Sequence, residues 1–315
     1  MDPTLKPGLP AEIQLEPTID CNLDCVMCNT ESRNRRKRLM TLAEFRRIIA
    51  RFPKLKRVTL HGIGEPLLNP SFVEMVGYLK RRGVVVFFNT NMTLMDGKTA
   101  KRLLALGVDE IRASLDTPYR DEYLGIRGKD MFDEVVGNIR RLVLARNGLK
   151  SKTKIRIVAV AMEENIESLP ELARLAVKLG VDELLVQNMQ YWAGNRDFAK
   201  RRRGKRADEK FDRIYGKCNR IAGKRLAFKM PHTGVAHTCN WPWTSCFITV
   251  EGEVTPCCNI TDPRTLSFGS VVKKGLKPIW WGRRYESLRR RLASGKNIPR
   301  LCKGCVIYEG RFKQY

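Results

Sequence analysis

Three cysteines stand close together near the start of the chain, in the segment CNLDCVMC. Cys21, Cys25 and Cys28 follow a short apolar segment that predicts a first strand. A loop at a strand end can direct three thiolates at one cube of iron and sulfide, which leaves one iron free to bind and activate another molecule. The spacing differs from that of a bacterial ferredoxin, and a zinc site would need a fourth ligand nearby. The segment therefore predicts a catalytic 4Fe-4S cluster.

A second group of cysteines lies in the last third of the chain. It comprises Cys239, Cys246, Cys257, Cys258, Cys302 and Cys305. In a chain of 315 residues without an export signal, clustered cysteines are better explained as metal ligands than as disulfides. Cys218 stands alone between the two groups, and we expect it to be an ordinary buried thiol.

Short apolar runs alternate with longer amphipathic stretches, which predicts β-α units and a parallel sheet. The predicted strands are Glu12 to Leu15, Arg57 to His61, Val84 to Asn89, Glu110 to Leu115, Lys154 to Val160 and Glu183 to Gln187. The predicted helices are Leu42 to Arg51, Ser71 to Arg82, Gly97 to Leu106, Phe132 to Arg146 and Ile166 to Leu179. Because crossovers are right-handed, residues just after each strand are expected to meet at one edge of the sheet.

The repeat of strands and helices stops after Gln187. A charged and helical bridge is predicted from Tyr191 to Ile221, followed by a β-hairpin signal in FITVEGEVTPCC. These changes predict an α/β domain over residues 1–190, a linker with a bridging helix over 191–235 and a small cysteine-rich domain over 236–315.

Four further motifs follow the predicted strands: HGIGEP, NTNM, ASLD and GIRG. Together with CNLDCVMC they resemble the radical S-adenosylmethionine (SAM) superfamily. The resemblance implies a partial (β/α)6, TIM-like barrel from about Ala11 to Gln190. It also implies one-electron cleavage of SAM to methionine and a 5′-deoxyadenosyl radical, which abstracts hydrogen from a substrate. The barrel would place the reactants and exclude water.

The same resemblance implies a set of SAM contacts. It assigns the SAM amino group to the HGIGEP segment, and the ribose or carboxylate to polar positions after the later strands. The residues so implied are Gly62, Gly64, Glu65, Pro66, Asn91, Ser114, Asp116 and Arg127. Arg127 would grip the SAM carboxylate, a pairing that charge-assisted hydrogen bonds favour. Ile63 and Met92 depart from the family pattern, in which glycine is usual.

The second cysteine group resembles the SPASM or twitch extensions that follow radical SAM barrels. The matching features are a Cys before a Pro-Trp pair, the hairpin, a Pro-Cys-Cys and a terminal Cys-x2-Cys. The resemblance implies one auxiliary 4Fe-4S cluster held by Cys239, Cys257, Cys302 and Cys305. Cys246 could replace Cys239, and Cys258 could replace Cys257, since neighbours on a hairpin point to opposite faces. A structural zinc site is the alternative to a cluster.

Lys and Arg total 59 against 33 acidic residues, for a formal charge of +26. The excess makes anionic lipid or nucleic acid a conceivable partner, although a solvated basic surface explains it as well. No apolar run has the length of a membrane span and the N-terminus lacks the build of a signal peptide, so we expect a soluble, cytoplasmic protein.

Two clusters favour a net two-electron oxidation of a small polar molecule, because an auxiliary cluster gives the electron of a substrate radical a place to go. The first cluster would need a one-electron donor such as flavodoxin or ferredoxin. Loss of a hydroxyl proton would need an acceptor, for which Glu163, Glu164, Gln187 and Tyr191 are candidates. The first strand begins within a dozen residues of Met1, so no separate peptide-recognition domain is expected. The alternatives are a maturase acting on peptide, lipid or nucleic acid, and a non-catalytic electron carrier.

Overall fold

The structure is a computed structural model that describes residues 6–28, 35–189, 206–230, 239–303 and 305. One sheet of nine strands runs through the described part of the molecule. Its strands are β1 (Glu12–Leu15), β2 (Arg57–Leu60), β3 (Val85–Thr90), β4 (Glu110–Ser114), β5 (Lys154–Ala161), β6 (Glu183–Asn188), β7 (Ala227–Lys229), β8 (Ser245–Ile248) and β9 (Val254–Thr255).

The strands pair in the order β7-β6-β5-β4-β3-β2-β1-β8-β9. Strands β1 to β7 are parallel to their neighbours, as β-α units require. Strand β8 also pairs in parallel with β1, and β9 returns antiparallel as the second half of the predicted hairpin. The sheet is thus the core of a partial barrel, extended at its β1 edge by the cysteine-rich region.

Helices cover the outside of the sheet. They are α1 (Leu42–Ile49), α2 (Phe72–Arg81), α3 (Gly97–Ala105), α4 (Arg120–Arg127), α5 (Phe132–Gly148), α6 (Leu169–Leu179), α7 (Arg206–Ala222), α8 (Trp241–Thr244), α9 (Val271–Lys274), α10 (Leu276–Trp280) and α11 (Arg283–Ser294). Short 3-10 turns occur at Pro66–Leu68, Ile166–Ser168 and Arg300–Cys302.

Local sequence explains where these helices begin and end. Helix α1 starts with a capping box, in which the Thr41 side chain accepts from the Glu44 backbone N–H and the Glu44 carboxylate accepts from that of Thr41. Helix α6 ends at Gly180, whose φ of +72° is left-handed and favours glycine. Apolar residues at helical spacing then hold each helix against the sheet.

Alternate residues of the barrel strands serve two surfaces. In β3, Val86 and Phe88 are buried in the core, whereas Phe87 and Asn89 face the cavity inside the barrel; Thr90, at the strand end, is buried and also borders the cavity. This alternation follows from the two-residue period of a strand. One face of the sheet therefore builds the helix-covered core, and the other lines the space where chemistry would occur.

The cysteine-rich region shares the core of the barrel. One continuous apolar cluster includes Ile13 of β1, Val250 and Val254 of the hairpin region, and Trp280 of α10. The Trp280 indole N–H donates to the backbone oxygen of Gly8, at 2.8 Å. Hydrogen bonds and apolar packing thus join the region after residue 239 to the first strands.

The six predicted barrel strands are confirmed to within one residue at each end. Helices α4, α8, α9 and α10 and strand β7 are not among the elements that the sequence predicts. Of the predicted bridge from Tyr191 to Ile221, helix α7 is confirmed, and Tyr191 lies outside the described residues. Within the described ranges, no helix has both the length and the apolar character needed to cross a membrane.

Candidate active site

A cavity of about 650 Å³ occupies the inside of the barrel. All three cysteines of the first motif line it, together with Gly62, Gly64, Glu65, Asn91, Ser114, Asp116 and Arg127. Residues of the second cysteine region, Cys258 among them, line the same cavity. Except for the buried Pro66, the residues implied as SAM contacts therefore line the same cavity as the three thiols.

The end of helix α4 fixes the cysteine loop. The backbone N–H groups of Asp24 and Val26 donate to the oxygens of Arg127 and Ile126, at 3.1 and 2.9 Å. Gly128 has a φ of +74°, and a Cβ there would lie 2.7 Å from the Asp24 oxygen. Only glycine allows this approach of the two backbones, so Gly128 helps to set where Cys25 stands.

The segment after β2 packs against the chain that leads into the cysteine loop. A Cβ on Gly64 would lie 2.5 Å from the backbone oxygens of both Thr18 and Asp20. The Glu65 backbone N–H donates to the Asp20 oxygen, at 2.8 Å. These contacts explain the glycine at position 64: it lets the HGIGEP segment and the segment that leads to the three cysteines touch directly.

A buried ion-pair network also holds the HGIGEP segment in place. The Glu16 carboxylate is fully buried and accepts from the Ile63 backbone N–H at 3.0 Å and from the Arg35 guanidinium at 2.7 Å. Arg35 also pairs with Glu251 of the hairpin, at 3.0 Å. Burial raises the pKa of Glu16, and Arg35 opposes this rise. The network connects the first strands to the cysteine-rich region.

The Glu65 carboxylate lies at the centre of two turns. Its oxygens accept from the Thr90 hydroxyl at 2.8 Å and from the backbone N–H groups of Asn91 and Leu67 at 2.6 and 3.1 Å. Burial raises the pKa of Glu65 to about 7, despite these hydrogen bonds. Glu65 thereby holds the end of β3 at the cavity wall, and its role as receiver of the SAM amino group stays a prediction.

Asn91 connects the end of β3 to the cysteine loop. Its amide N–H donates to the Asn22 side chain at 2.8 Å, and its nitrogen lies 4.0 Å from the sulfur of Cys21. Met92 follows with a φ of +66°, in the left-handed region. That conformation explains why glycine is usual at this position of the family motif.

Asp116 and Arg127 form a buried ion pair with an N–O distance of 2.5 Å. The second oxygen of Asp116 accepts from the Val160 backbone N–H at 2.8 Å, and Arg127 Nη1 lies 3.6 Å from the sulfur of Cys25. Burial disfavours the charged guanidinium, but Asp116 and then Cys25 raise the pKa of Arg127 above its ordinary value. Arg127 is thus held in an ion pair with a carboxylate and within hydrogen-bonding reach of a cysteine of the first motif.

Five cysteines gather at the second site. Burial raises the pKa of Cys257, and so do the neighbouring thiols of Cys258, Cys239 and Cys305. Burial, together with the neighbouring thiols of Cys305 and Cys239, also raises the pKa of Cys302, to about 12. The Asn259 amide donates to the Cys305 sulfur at 3.3 Å. Thiols crowded in this way ionise together only if a cation joins them, as the iron of a cluster would.

Cys246 does not join this group. Cys246 is fully buried on β8. Burial raises the pKa of its thiol, and the nearby charge of Arg289, not another thiol, opposes that rise. Cys239 therefore fits the ligand set better than Cys246. Cys257 and Cys258 both lie with the group, and Cys258 is the one that lines the cavity.

The donor set fits clusters better than a single metal ion. Among the described residues, no three Cys, His, Asp or Glu side chains converge closely enough to hold one ion. A four-iron cube spreads its thiolates around it, so it does not need that close convergence. Cys21, Cys25 and Cys28 would hold the first cluster. Cys239, Cys302, Cys305 and one of the adjacent cysteines would hold the second.

The predicted proton acceptors are placed differently from one another. Glu163 and Glu164 follow β5, are exposed, and do not line the cavity, so the structure does not bring them to the SAM contacts. Gln187 of β6 does line it. His61 also lines the cavity, and burial lowers its pKa to about 4.

Sequence reasoning missed a charged belt inside the barrel, formed by Glu110, Arg112, Arg156, Glu183 and Lys229. Arg156 bridges the carboxylates of Glu110 and Glu183 at 3.2 and 3.0 Å, and Lys229 pairs with Glu183 at 3.3 Å. Charged residues at alternate positions of EIRAS are the signal that could have revealed it. The belt makes the inner end of the cavity polar.

Comparison with known proteins agrees with this geometry. The family model of the radical SAM superfamily matches residues 15–176, and that of an iron-sulfur cluster-binding domain, SPASM, matches residues 239–306. The chain is 30% identical over 306 residues to a tungsten-containing aldehyde ferredoxin oxidoreductase cofactor-modifying protein of Pyrococcus furiosus, covering 88% of this chain and 82% of the relative. It is 25% identical over 317 residues to the mycofactocin maturase MftC of Mycolicibacterium smegmatis, covering 96% of this chain and 77% of the relative.

Two crystal structures of SuiB from Streptococcus suis share the fold. The complex with S-adenosylmethionine gives a TM-score of 0.74 at 18% identity, covering 98% of this chain and 73% of that one. The complex with the precursor peptide SuiA gives a TM-score of 0.73 at 17% identity, covering 98% of this chain and 72% of that one. Family models, relatives and fold agree with the two cysteine sites, and the chain therefore belongs to the radical SAM superfamily, as an enzyme with a C-terminal SPASM domain that uses SAM and iron-sulfur clusters.

Proposed function

We propose that this enzyme carries out a radical-based, net two-electron oxidation of a small polar molecule held between its two cluster sites. The observation that carries the proposal is a single cavity lined at once by the three thiols of the first site and by Cys258 of the second. When bound, SAM and the first cluster supply a 5′-deoxyadenosyl radical. Cys258 and its neighbouring cysteines would hold the auxiliary cluster, which would supply an acceptor for the electron left after hydrogen abstraction.

The lining of the cavity favours a polar substrate. His61 Nδ1, Asn89 Oδ1 and Trp241 Nε1 are buried atoms of lining residues, and none has a hydrogen-bond partner within the described part of the chain. Such groups are costly unless a ligand or water satisfies them. The charged belt adds guanidinium and carboxylate groups at the inner end. A substrate rich in hydroxyl, amino or acidic groups would complement this surface.

The name of one relative favours a particular class of small molecule. The Pyrococcus furiosus relative is described as a cofactor-modifying protein. A cofactor or cofactor precursor is a small polar molecule, and a cavity of about 650 Å³ has the size of pockets that enclose such ligands. We therefore place cofactor precursors first among the candidate substrates. A one-electron donor such as flavodoxin or ferredoxin would reduce the first cluster.

The test is 5′-deoxyadenosine formation by anaerobically reconstituted, reduced protein with SAM and, in turn, small-molecule, peptide, lipid and RNA fractions. We expect the small-molecule fraction to raise deoxyadenosine and to yield a product two hydrogens lighter. Cys21→Ala should abolish both. Cys218→Ala is the matched control, because Cys218 is a buried thiol outside both sites and its loss should leave turnover intact. Stimulation by another fraction alone would reject the small-molecule proposal.

A peptide-modifying maturase is the second candidate. The name of MftC and the complex of SuiB with a precursor peptide favour it. In that case the peptide fraction would raise deoxyadenosine, and the mass change would appear on a peptide. Steep loss of binding with salt would instead indicate a polyanion, as the basic composition allows.

A further inference from the structure

A buried arginine lies beside the second cysteine site without an acidic partner. Arg289 of helix α11 is 3% exposed, and its guanidinium donates to the backbone oxygens of Pro242 and Trp280, each at 2.6 Å. It lies over the rings of Trp280 and Tyr285, 4.4 Å from each centroid. Within the described residues, no carboxylate forms an ion pair with it, and its Nη2 has no hydrogen-bond partner.

A buried cation without a counter-charge is expensive. Carbonyl oxygens and aromatic faces offset only part of that cost, because they carry partial charges. A cluster held by four thiolates is an anion, and its negative charge grows by one when it is reduced. Glu286 acts on Arg289 electrostatically but forms its ion pair with Arg290, so the auxiliary cluster would supply the further counter-charge that Arg289 lacks in direct contact.

Arg289 is connected to the second cysteine site through Pro242 and Tyr285, whereas the thiol that acts on it electrostatically is Cys246. Pro242, whose oxygen accepts from Arg289, is three residues after Cys239 in the short segment that opens helix α8. Tyr285, stacked against Arg289, is fully buried, and its hydroxyl has no hydrogen-bond partner in the described part of the chain. Cys246, Cys257 and Cys239 all act electrostatically on Tyr285. Helix α11 thus places the positive charge of Arg289 and the hydroxyl of Tyr285 near the cysteines of the second site.

We propose that Arg289 and Tyr285 are positioning residues that raise the reduction potential of the auxiliary cluster, so that it accepts the electron released during substrate oxidation. A nearby positive charge and a hydrogen bond to a cluster sulfur both favour the reduced, more negative form. This role requires only the auxiliary cluster and is independent of which substrate the enzyme oxidises.

The experiment is a redox titration of the SAM-bound holoenzyme, with the two reduced clusters followed by EPR. At an effective dielectric constant of about 20, a unit charge about 10 Å from a cluster changes the ratio of reduced to oxidised cluster roughly tenfold. We therefore expect Arg289→Gln to lower the reduced-to-oxidised ratio of the auxiliary cluster about tenfold at a fixed potential, about 59 mV for one electron. Tyr285→Phe should lower it less. Arg289→Lys, which keeps the charge, should stay near wild type.

Arg290→Gln is the matched control. Arg290 is the next residue of the same helix, 66% exposed and paired with Glu286, so the same loss of charge should leave the potential unchanged. The potential of the first cluster serves as an internal reference. An unchanged auxiliary potential in Arg289→Gln at full iron content, or equal shifts in Arg289→Gln and Arg290→Gln, would overturn the proposal. If Arg289→Gln loses auxiliary iron, an unshifted potential in Tyr285→Phe together with a large shift in Arg289→Lys would overturn it.

Discussion

Gly64 is a position where one added methyl group should strongly disturb the active site. A Cβ there would lie 2.5 Å from the backbone oxygens of Thr18 and Asp20, whereas ordinary contacts begin at 3.4 Å. Neither oxygen can turn away by a side-chain rotation, because both belong to the backbone. Relief therefore requires the segment just before Cys21 to move by about 0.9 Å, the difference between 3.4 and 2.5 Å.

The cost of Gly64→Ala follows from these contacts. Overpacking of a closed site costs about 1–3 kcal/mol. The shift would also strain the hydrogen bond from the Glu65 N–H to the Asp20 oxygen, worth about 1 kcal/mol. We expect the free energy of unfolding to fall by about 2–4 kcal/mol. The first cluster should lose iron or its response to SAM, while the auxiliary cluster keeps its iron.

The assay combines anaerobic denaturant unfolding, iron analysis of each site and the EPR change that SAM causes in the reduced first cluster. Gly125→Ala is the control, since Gly125 lies on the exposed side of helix α4 with open space around its Cα. That change should raise stability by up to about 1 kcal/mol, the difference in helix propensity. A Gly64→Ala protein with wild-type stability and an unaltered SAM response would refute the packing argument.

Three further changes test other parts of the site. Burial lowers the folded-state pKa of His61 to about 4, so wild type should lose stability relative to His61→Phe as the pH falls below 6.5, by up to about 1.4 kcal/mol per pH unit. A constant difference between pH 7.5 and 5 would contradict this. Cys239→Ala should lose the auxiliary iron and Cys246→Ala should keep it; iron analysis giving the reverse would exchange the two assignments. Arg127→Met leaves the Asp116 carboxylate buried alone, which should cost about 3–5 kcal/mol in denaturant unfolding; a change below 1 kcal/mol would show that the pair is not needed.

Features set by neighbouring residues could be predicted from the sequence. The spacing of Cys21, Cys25 and Cys28 depends on one loop, and the barrel strands depend on local apolar runs with a two-residue period. The HGIGEP segment likewise carries its own turn chemistry, including the glycine at 64. Because each of these is encoded over a few residues, the fold could be predicted from the sequence alone, and the SAM contacts stay a prediction.

Features set by distant pairing could not be predicted. Whether Cys239 or Cys246 joins the cluster depends on which face of β8 meets the core, and that is decided when β8 pairs with β1. The proton-acceptor assignment to Glu163 and Glu164 rested on position after a strand, but the loop after β5 directs both to solvent. The charged belt needed the pairing of β4, β5 and β6, which brings Glu110, Arg156 and Glu183 together.

The parallel pairing of β1 with β8 has a consequence for biosynthesis. The backbone N–H of Val250 reaches the carboxylate of Glu16 across 234 positions of sequence. Until the ribosome has released the last third of the chain, β1 is a sheet edge with an open row of hydrogen-bonding groups, and such edges favour aggregation. Contacts this distant in sequence also form slowly. Before β1 pairs with β8, Glu16 and Arg35 lack their partners on the hairpin, and the segment that supports the cysteine loop is not yet held in place. We therefore expect the first cluster to be loaded only after β8 has been synthesised and has paired.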